Sequence, residues 1–189
     1  LLLCSMQKEE ERFQIQVLDV GQGDGIYIES DAGTEIFVDG GSVDVSEVGK
    51  YRIQPFLKSH GVREVDYWFV SHCDADHYNG LVELLEADYP IKHLVFSKYV
   101  LKDEAQEELA ALAKKKGCQV LYMEEGESFR DTSIRIRAIY PSEESVQGER
   151  NADSLVLLLE HGNFHGLLTG DIGSEQEKKL IETYGEVCD

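Results

Sequence analysis

Apolar and polar residues alternate through the first forty positions of the chain, a pattern typical of strands with one buried face. The alternation covers residues 13–20, 26–29 and 35–38. Glycine-containing stretches at 21–25 and 31–33 separate these strands and are short enough to be turns. Strands joined by short turns pair with each other, so this region predicts an antiparallel meander.

Beyond residue 50, helical and strand patterns alternate along the chain. Helices are predicted at 51–60, after Gly80, at 104–116 and at 175–184. Strands are predicted at 65–70, 91–96, 119–123 and 133–140, followed by a hairpin of 154–160 and 164–169. The polar stretch 142–153 predicts a loop. A meander followed by alternating strands and helices indicates an α/β (α+β) fold in which helices cover sheets.

The length and charge of the chain narrow the class of protein. A chain of 189 residues suits one domain, and its 42% hydrophobic content indicates a globular fold. Acidic residues outnumber basic ones by 37 to 18, which gives a formal charge of −19. Such a surface repels nucleic acid at long range, so local cations, bound metal included, would have to draw such a substrate in. The four cysteines form no Cys-x-x-Cys pair, which excludes a zinc ribbon and a thioredoxin-type motif.

The chain opens with Leu1-Leu2-Leu3-Cys4 and has no initiator methionine. This apolar run is far shorter than the ~20 residues that span a membrane. We therefore expect residues 1–8 to be the remnant of a preceding apolar or membrane segment, or a linker, and residues 9–189 to form the domain. A cloning remnant and a lipoprotein cleavage site are alternatives for the first residues.

The densest group of candidate metal ligands is the hexapeptide His72-Cys73-Asp74-Ala75-Asp76-His77, which follows the apolar strand 65–70. Two imidazoles and two carboxylates this close together are costly to gather and desolvate unless a cation holds them. The alternative is a polar helix N-terminus capped by Asp76, which would leave both histidines without a role. The hexapeptide therefore predicts a metal site at the end of a strand.

Three other strands also end in aspartate beside glycine. These ends are Asp19 with the loop Gln22-Gly23-Asp24, then Asp39-Gly40-Gly41, and finally Gly170-Asp171. Glycine lets the backbone approach closely, and the rim beyond strand ends is where open α/β folds commonly hold their sites. The pattern therefore places these carboxylates at a sheet rim as well.

Five motifs follow one another in order along the chain. They are Asp19-Val20-Gly21-Gln22-Gly23-Asp24, Asp39-Gly40-Gly41, the segment 71–77, Asn79-Gly80 and Leu168-Thr169-Gly170-Asp171. Together they resemble the metallo-β-lactamase superfamily. The opening motif, with Asp74 where most of the superfamily has a second histidine, is similar to the ComEC-type DNA-internalisation (competence) proteins and their soluble relatives. The resemblance covers about residues 13–185 and implies an αββα sandwich.

The resemblance also implies roles for individual residues. His72 and Asp74 would bind a first metal ion, Asp76 and His77 a second, and Asp171 would bridge the two. Asp74 and Asp76 would also act in catalysis. The remaining candidates are expected at the rim or behind the ligands, where Asp39 would order the ligand loop: Asp19, Gln22, Asp24, Asp39, Asn151 and Ser154.

The chain departs from the superfamily pattern in two places. No histidine lies between His93 and His161, so the third ligand histidine is absent. The chain also stops at Asp189 without the His-His-Gly-Ser motif of its relatives, so we expect a C-terminally truncated sandwich that could be inactive by itself. We expect one or two divalent ions, Mn²⁺ or Zn²⁺ with Mg²⁺ as an alternative, since three carboxylates shift the preference away from zinc.

The leading functional hypothesis is a metal-dependent hydrolase, a phosphodiesterase or nuclease that acts on single-stranded DNA during competence DNA uptake. The resemblance places it at the extracytoplasmic face of the cell membrane, where the membrane-channel part of the same polypeptide would be its partner. A secreted or lipid-anchored relative is an alternative, and no small organic cofactor is expected. Two other functions stay open, namely hydrolysis of a small ester, thioester or lactam, and a non-catalytic docking module of a DNA-uptake channel.

Overall fold

The computed structural model describes residues 13–185 of the chain. The strands in this range are β1 (Gln14–Val17), β2 (Gly25–Glu29), β3 (Glu35–Asp39), β4 (Val65–Phe69), β5 (Ile91–Ser97), β6 (Gln119–Met123), β7 (Ser128–Arg130), β8 (Arg135–Tyr140), β9 (Val156–His161) and β10 (Phe164–Leu168). The helices are α1 (Gln54–Ser59), α2 (Ala75–Glu86), α3 (Glu104–Lys115) and α4 (Ser174–Tyr184), with a π-helical turn, Gly49–Ile53, directly before α1.

The first sheet contains β1 to β6 in chain order. Strands β1, β2 and β3 pair antiparallel, which confirms the predicted meander. Strands β3 to β6 pair in parallel, and a helix connects each of them to the next. Because these strands run in one direction, the residues that follow β3 and β4 emerge at the same rim of the sheet.

The second sheet has the strand order β10-β9-β8-β7 and is antiparallel throughout. Strands β9 and β10 form the predicted hairpin. The sequence pattern did not predict β7, because a strand of three residues is too short to show an alternation of its own.

The two faces of β3 show how the layers are built. Ile36 and Val38 lie in the core between the two sheets, whereas Phe37 packs into the core shared with α1, α2 and α3. This division follows from the two-residue period of a strand. Helix α4 covers the outer face of the second sheet, where Leu180 packs with Leu158. Burial of each Leu, Ile or Phe side chain in these cores stabilises the folded state by about 1.5–3 kcal/mol. The order of the layers confirms the predicted αββα sandwich.

Two of the differences between the predicted and the observed bounds lie next to the candidate ligands. β1 is shorter than the alternating stretch and ends at Val17, since the backbone then turns into the loop at Gly21. Helix α2 begins at Ala75 rather than after Gly80. Its first turn carries Asp76 and His77, which interrupt the apolar spacing by which a helix is recognised.

The predicted segment 1–8 lies outside the described residues, so its separation from the domain stays a prediction. Within residues 13–185, none of the helices combines the length and the apolar composition needed to cross a bilayer.

Candidate metal centre

Three strand ends and one turn bring the candidate ligands to a single rim. β3 ends at Asp39, the loop after β4 carries His72, and the first turn of α2 carries His77. Asp171 comes from the segment between β10 and α4, and its Oδ1 lies 3.4 Å from His77 Nε2. The site is therefore built where the rims of the two sheets meet.

His72 is buried and has one ring nitrogen free. Its Nδ1 lies 3.0 Å from Ser71 Oγ and 3.3 Å from Ser154 Oγ. Its Nε2 is buried and has no hydrogen-bond partner among the described residues. Burial, followed by the positive charge of His77, lowers the pKa of His72, so the imidazole is neutral at pH 7. A neutral, unpartnered ring nitrogen is the form in which histidine coordinates a metal.

His77 lies beside His72, with 4.1 Å between the ring centroids, but its surroundings are anionic. Nδ1 is 3.0 Å from Asp39 Oδ2, and Nε2 faces Asp171. Burial alone would lower the pKa of His77, but the hydrogen bond and charge of Asp39, with the charges of Asp171 and Asp24, raise it to about 9. Without a cation, the proton on His77 offsets part of the negative charge of its neighbours.

Asp39 holds the loop that carries His72. Its Oδ1 accepts a hydrogen bond from the backbone N–H of Ser71 at 2.7 Å, and its Oδ2 accepts one from Ser71 Oγ at 2.8 Å. Its backbone has a φ of 58°, in the left-handed region that costs an ordinary residue about 1–2 kcal/mol. The buried carboxylate of Asp39 therefore orients both His77 and the ligand loop. The strained backbone of Asp39 places the carboxylate where it makes these contacts.

The geometry of the rim fits a divalent cation. One ligand atom each from His72, His77 and Asp171 lies within 4.8 Å of the other two. A second group with the same spacing consists of Asp24, Asp39 and His77. Imidazole nitrogen and carboxylate oxygen suit zinc, manganese and iron alike, so the donor set supports a metal without selecting one. The free Nε2 of His72 is the atom that such an ion would satisfy.

Asp74 and Asp76 lie near this centre but outside the two groups just described. Asp74 Oδ2 is 3.6 Å from His72 Nε2, while its Oδ1 accepts a hydrogen bond from Arg150 at 2.7 Å. Asp76 is half-buried in the first turn of α2, and its backbone carbonyl accepts a hydrogen bond from the N–H of Asp24 at 3.2 Å. The carboxylate of Asp74 is thus shared between the rim and Arg150.

The predicted rim residues divide into two sets. Asp24 is close to the centre, with its Oδ2 3.9 Å from His77 Nδ1, and burial followed by the charge of Asp39 raises its pKa. Asp19 and Gln22 are exposed. The backbone N–H of Gln22 donates a hydrogen bond to Asp44 Oδ1 at 2.9 Å, which stabilises the loop.

Asn151 and Ser154 also differ in their exposure and in their contacts with the candidate ligands. Asn151 is exposed, and its carbonyl accepts a hydrogen bond from the N–H of Ser154 at 3.2 Å. Ser154 is fully buried, and its hydroxyl reaches His72. Of the two, only Ser154 has a side-chain contact with a candidate ligand among the described residues.

Two glycines allow the loops to close around the site. A Cβ on Gly41 would lie 2.5 Å from the backbone nitrogen of His77, and one on Gly170 would lie 2.8 Å from the Cβ of Ser71. Gly170 also has a φ of 51°. Any side chain at these positions would push the loops away from the ligands.

The sequence pattern did not identify Arg150 as part of the site. Its guanidinium bridges Asp74 and Asp103, the residue that caps the N-terminus of α3. An isolated arginine in a polar loop carries no signal by itself, and Asp103 is far from Asp74 along the chain. The contact depends on where the loop 142–153 folds, which residue spacing does not encode.

Comparison with known proteins supports the resemblance in sequence. No family model matches the chain. ComE operon protein 3 of Bacillus subtilis (strain 168) is 24% identical over 187 residues, covering 92% of this chain and 24% of the relative. Recombination protein 2 of Haemophilus influenzae is 24% identical over 186 residues, covering 98% of this chain and 22% of the relative. The chain spans about a quarter of the length of the curated relatives it matches.

Solved structures agree on the fold. A metallo-β-lactamase from Staphylococcus aureus matches with a TM-score of 0.58 and 14% identity, over 92% of this chain and 52% of that one. Zinc-bound PqqB from Methylobacterium extorquens matches with a TM-score of 0.57 and 10% identity, over 84% of this chain and 57% of that one. CmlA, a diiron β-hydroxylase from Streptomyces venezuelae, matches with a TM-score of 0.57 and 17% identity, over 91% of this chain and 33% of that one. The chain therefore has the metallo-β-lactamase fold, and its sequence is similar to that of the ComEC-type competence proteins, as its motifs predict.

Proposed function

We propose that this chain is a metal-dependent hydrolase domain and that its substrate is DNA taken up during competence. The observation that carries the proposal is the convergence of His72, His77 and Asp171 at one rim, with His72 Nε2 buried and without a partner in the described part of the chain. A divalent cation would use all three ligand atoms, including the buried nitrogen that has no hydrogen-bond partner.

The residues would divide the work as follows. His72, His77 and Asp171 would hold a first divalent ion. The neighbouring carboxylates Asp74 and Asp76 would complete its ligands, hold a second ion or act on the substrate directly. Asp39 orients His77 and the ligand loop through its hydrogen bonds. A divalent ion held by these residues would supply Lewis acidity for the activation of water and for the charge that develops on a phosphodiester.

The open shape of the rim favours a polymer as substrate. The carboxylate side chains of Asp74 and Asp171 are 35% and 43% exposed, so the site opens at the surface rather than inside a closed cavity. A strand of nucleic acid can lie along such a rim. The formal charge of −19 repels a polyanion, so binding of DNA requires the positive charge that the metal brings.

The similarity to ComE operon protein 3 extends the proposal to the cellular setting. The domain would work beside the membrane-channel part of the same polypeptide, at the extracytoplasmic face of the membrane. It would degrade one DNA strand while the other enters the cell. A single-stranded product or substrate at this rim is consistent with the open geometry.

The proposal is tested by measuring metal binding and DNA cleavage together. Calorimetry with Mn²⁺, Zn²⁺ and Mg²⁺ gives the affinity and the number of ions, and an end-labelled single-stranded oligonucleotide reports cleavage. Asp171→Asn should reduce both binding and cleavage. Asp88→Asn is a matched control, because Asp88 is exposed and pairs with Lys116 away from the rim.

Three outcomes separate the competing functions. Cleavage that requires metal and Asp171 supports a nuclease. Hydrolysis of a chromogenic ester that DNA does not inhibit would assign a small-molecule substrate instead. Absence of metal binding would leave a non-catalytic docking module.

A further inference from the structure

Arg150 connects a candidate ligand to the structure behind it. Its Nη1 donates to Asp74 Oδ1 at 2.7 Å, and its Nε donates to Asp103 Oδ2 at 2.7 Å, with Nη2 donating to the same oxygen. Asp74 stands directly before α2 and Asp103 directly before α3, so one guanidinium joins the N-terminal ends of two helices. Arginine suits this position because its planar fork of donors can engage two carboxylates at once.

Asp74 does not use its side chain to cap α2. Asp103 shows the ordinary arrangement, in which its Oδ1 accepts a hydrogen bond from the backbone N–H of Gln106 at 3.1 Å. Asp74 makes no such side-chain bond to its own helix. Its two carboxylate oxygens instead divide between Arg150 and the rim, where Oδ2 lies 3.6 Å from His72 Nε2. The orientation of Asp74 therefore depends on Arg150.

The loop that carries Arg150 is itself rigidly organised. Asp153 is buried, and its carboxylate accepts hydrogen bonds from three successive backbone N–H groups, those of Gln147, Gly148 and Glu149, at 2.7, 2.6 and 3.1 Å. The hydroxyl of Tyr140 donates to the carbonyl of Ala152 at 2.8 Å. The guanidinium is thus fixed from two sides, by its own loop and by the cap of α3.

The charge balance of the rim explains why a fixed cation belongs here. Five carboxylates gather around the two histidines, namely Asp24, Asp39, Asp74, Asp76 and Asp171. Asp74 is partly exposed, so without an opposing charge it would turn towards solvent and away from its acidic neighbours. Arg150 holds it at the rim.

We propose that Arg150 is a positioning residue that presents the free oxygen of Asp74 to the metal centre formed by His72, His77 and Asp171. This inference rests on the proposed metal-dependent function and adds to it a residue that acts through Asp74. It also gives the loop 142–153 of the second sheet a role, since this loop would set the orientation of Asp74, which follows β4 of the first sheet.

The test compares Arg150→Gln and Arg150→Lys with Arg63→Gln, an exposed arginine in the loop before β4. Calorimetry measures the affinity for Mn²⁺ and Zn²⁺. Visible absorption of the Co²⁺-loaded protein reports coordination number and geometry. Arg150→Gln should weaken metal binding by about 10–100-fold and alter the Co²⁺ spectrum, as for other residues that orient a ligand. Arg150→Lys should recover part of the loss, and Arg63→Gln should behave as the wild type.

A second variant guards against general misfolding. Asp103→Asn keeps a capping side chain for α3 but loses the ion pair with Arg150. It should shift metal affinity in the same direction by a smaller factor. If the Arg150→Gln protein binds metal as tightly as the wild type, or more tightly, Arg150 does not position Asp74 and the inference is wrong. If the wild type itself binds neither ion, the proposed function fails and the inference fails with it.

Discussion

Partly or fully buried aspartates lie at both ends of the sandwich, but their surroundings differ. At one end the carboxylate is surrounded by neutral hydrogen-bond donors, and at the other several carboxylates lie close together. At the end remote from the candidate site, Asp131 accepts hydrogen bonds from the N–H groups of Ser133 and Ile134, at 2.7 and 2.9 Å, and from the Thr34 hydroxyl, at 2.9 Å. At the rim, Asp24, Asp39 and Asp171 surround His77 and one another, and His72 Nε2 has no partner among the described residues.

The pKa values follow this difference. Burial alone would raise the pKa of Asp131, but hydrogen bonds from Ser30, Ile134, Ser133 and Thr34 lower it to about 2. At the rim, burial and the charge of neighbouring carboxylates raise the pKa of Asp24. A carboxylate with neutral donors stabilises a fold, whereas a cluster of carboxylates without enough donors stores unfavourable interactions that a cation can relieve. The contrast separates a structural network from a candidate metal site.

The largest effect should come from removing a ligand, and two histidines at opposite ends make the comparison. His72→Ala should weaken metal binding by more than the ~10–100-fold that loss of a supporting residue costs. His161→Ala should leave metal affinity unchanged, because His161 stacks on Phe13 and contacts Asp31 at the other end, where its loss should cost only about 1 kcal/mol of stability. Calorimetry and urea unfolding in EDTA measure the two effects. Equal metal affinities in the two variants would show that the rim is not the metal site.

The pH dependence of metal binding should be almost as large. The pKa of His77 is raised to about 9, so a cation must displace a proton from its ring at pH 7. Affinity should therefore rise about tenfold per pH unit from 7 to 9, roughly 100-fold in all, and then level off. Calorimetry in buffers of different ionisation enthalpy would detect the released proton. Asp39→Asn removes the main charge that holds this proton, so the slope should flatten. A constant affinity across this range in the wild type would contradict the assignment of His77 as a ligand.

The sequence predicted the layers of the fold better than the contacts between segments that lie far apart in the chain. Alternation in β2 and β3, and the apolar run of β4, predicted sheets covered by helices because burial follows local periodicity. The αββα order of the layers was implied by the resemblance of the motifs to a known superfamily. The ligand candidates His72, His77 and Asp171 stood out because such residues are costly to gather at strand ends.

The connections could not be predicted because they depend on distances between segments far apart in the chain. The start of α2 was hidden by the candidate ligands in its first turn, which interrupt the apolar spacing. The sharing of Asp74 between His72 and Arg150 requires the loop 142–153 to pack across the sheets. Neither periodicity nor motif spacing contains that information, since both are local properties of the chain.

At the end remote from the candidate site, Asp131→Asn should reduce the free energy of unfolding by about 2 kcal/mol at pH 7. The substitution removes charge-assisted hydrogen bonds from partly buried donors. The folded pKa of about 2 lies below the ordinary aspartate pKa of 3.8, so the carboxylate stabilises the fold fully above pH ~4 and loses this effect as the pH falls towards 2. The gap between wild type and variant should close over the same range. Urea unfolding in EDTA from pH 2 to 7 measures it, with the exposed Asp88→Asn as control. A gap that persists at pH 2 would mean that ionisation of Asp131 is not its source.

An Asp→Asn substitution at the rim should change the free energy of unfolding of the metal-free protein in the opposite direction. The folded pKa of Asp24 is raised, so its ionised form destabilises the metal-free protein once the pH exceeds that pKa. Asp24→Asn should therefore stabilise the metal-free protein at pH 7, by no more than about 0.5 kcal/mol, because its carboxylate is 45% exposed and water screens much of the repulsion. Saturating Mn²⁺ should reverse the order and leave the wild type more stable, since Asp24 belongs to the second group of ligand atoms. Paired urea titrations with EDTA and with Mn²⁺ measure both signs. A loss of stability in EDTA like that of Asp131→Asn would show that Asp24 is a structural carboxylate, and the contrast between the two ends would then be lost.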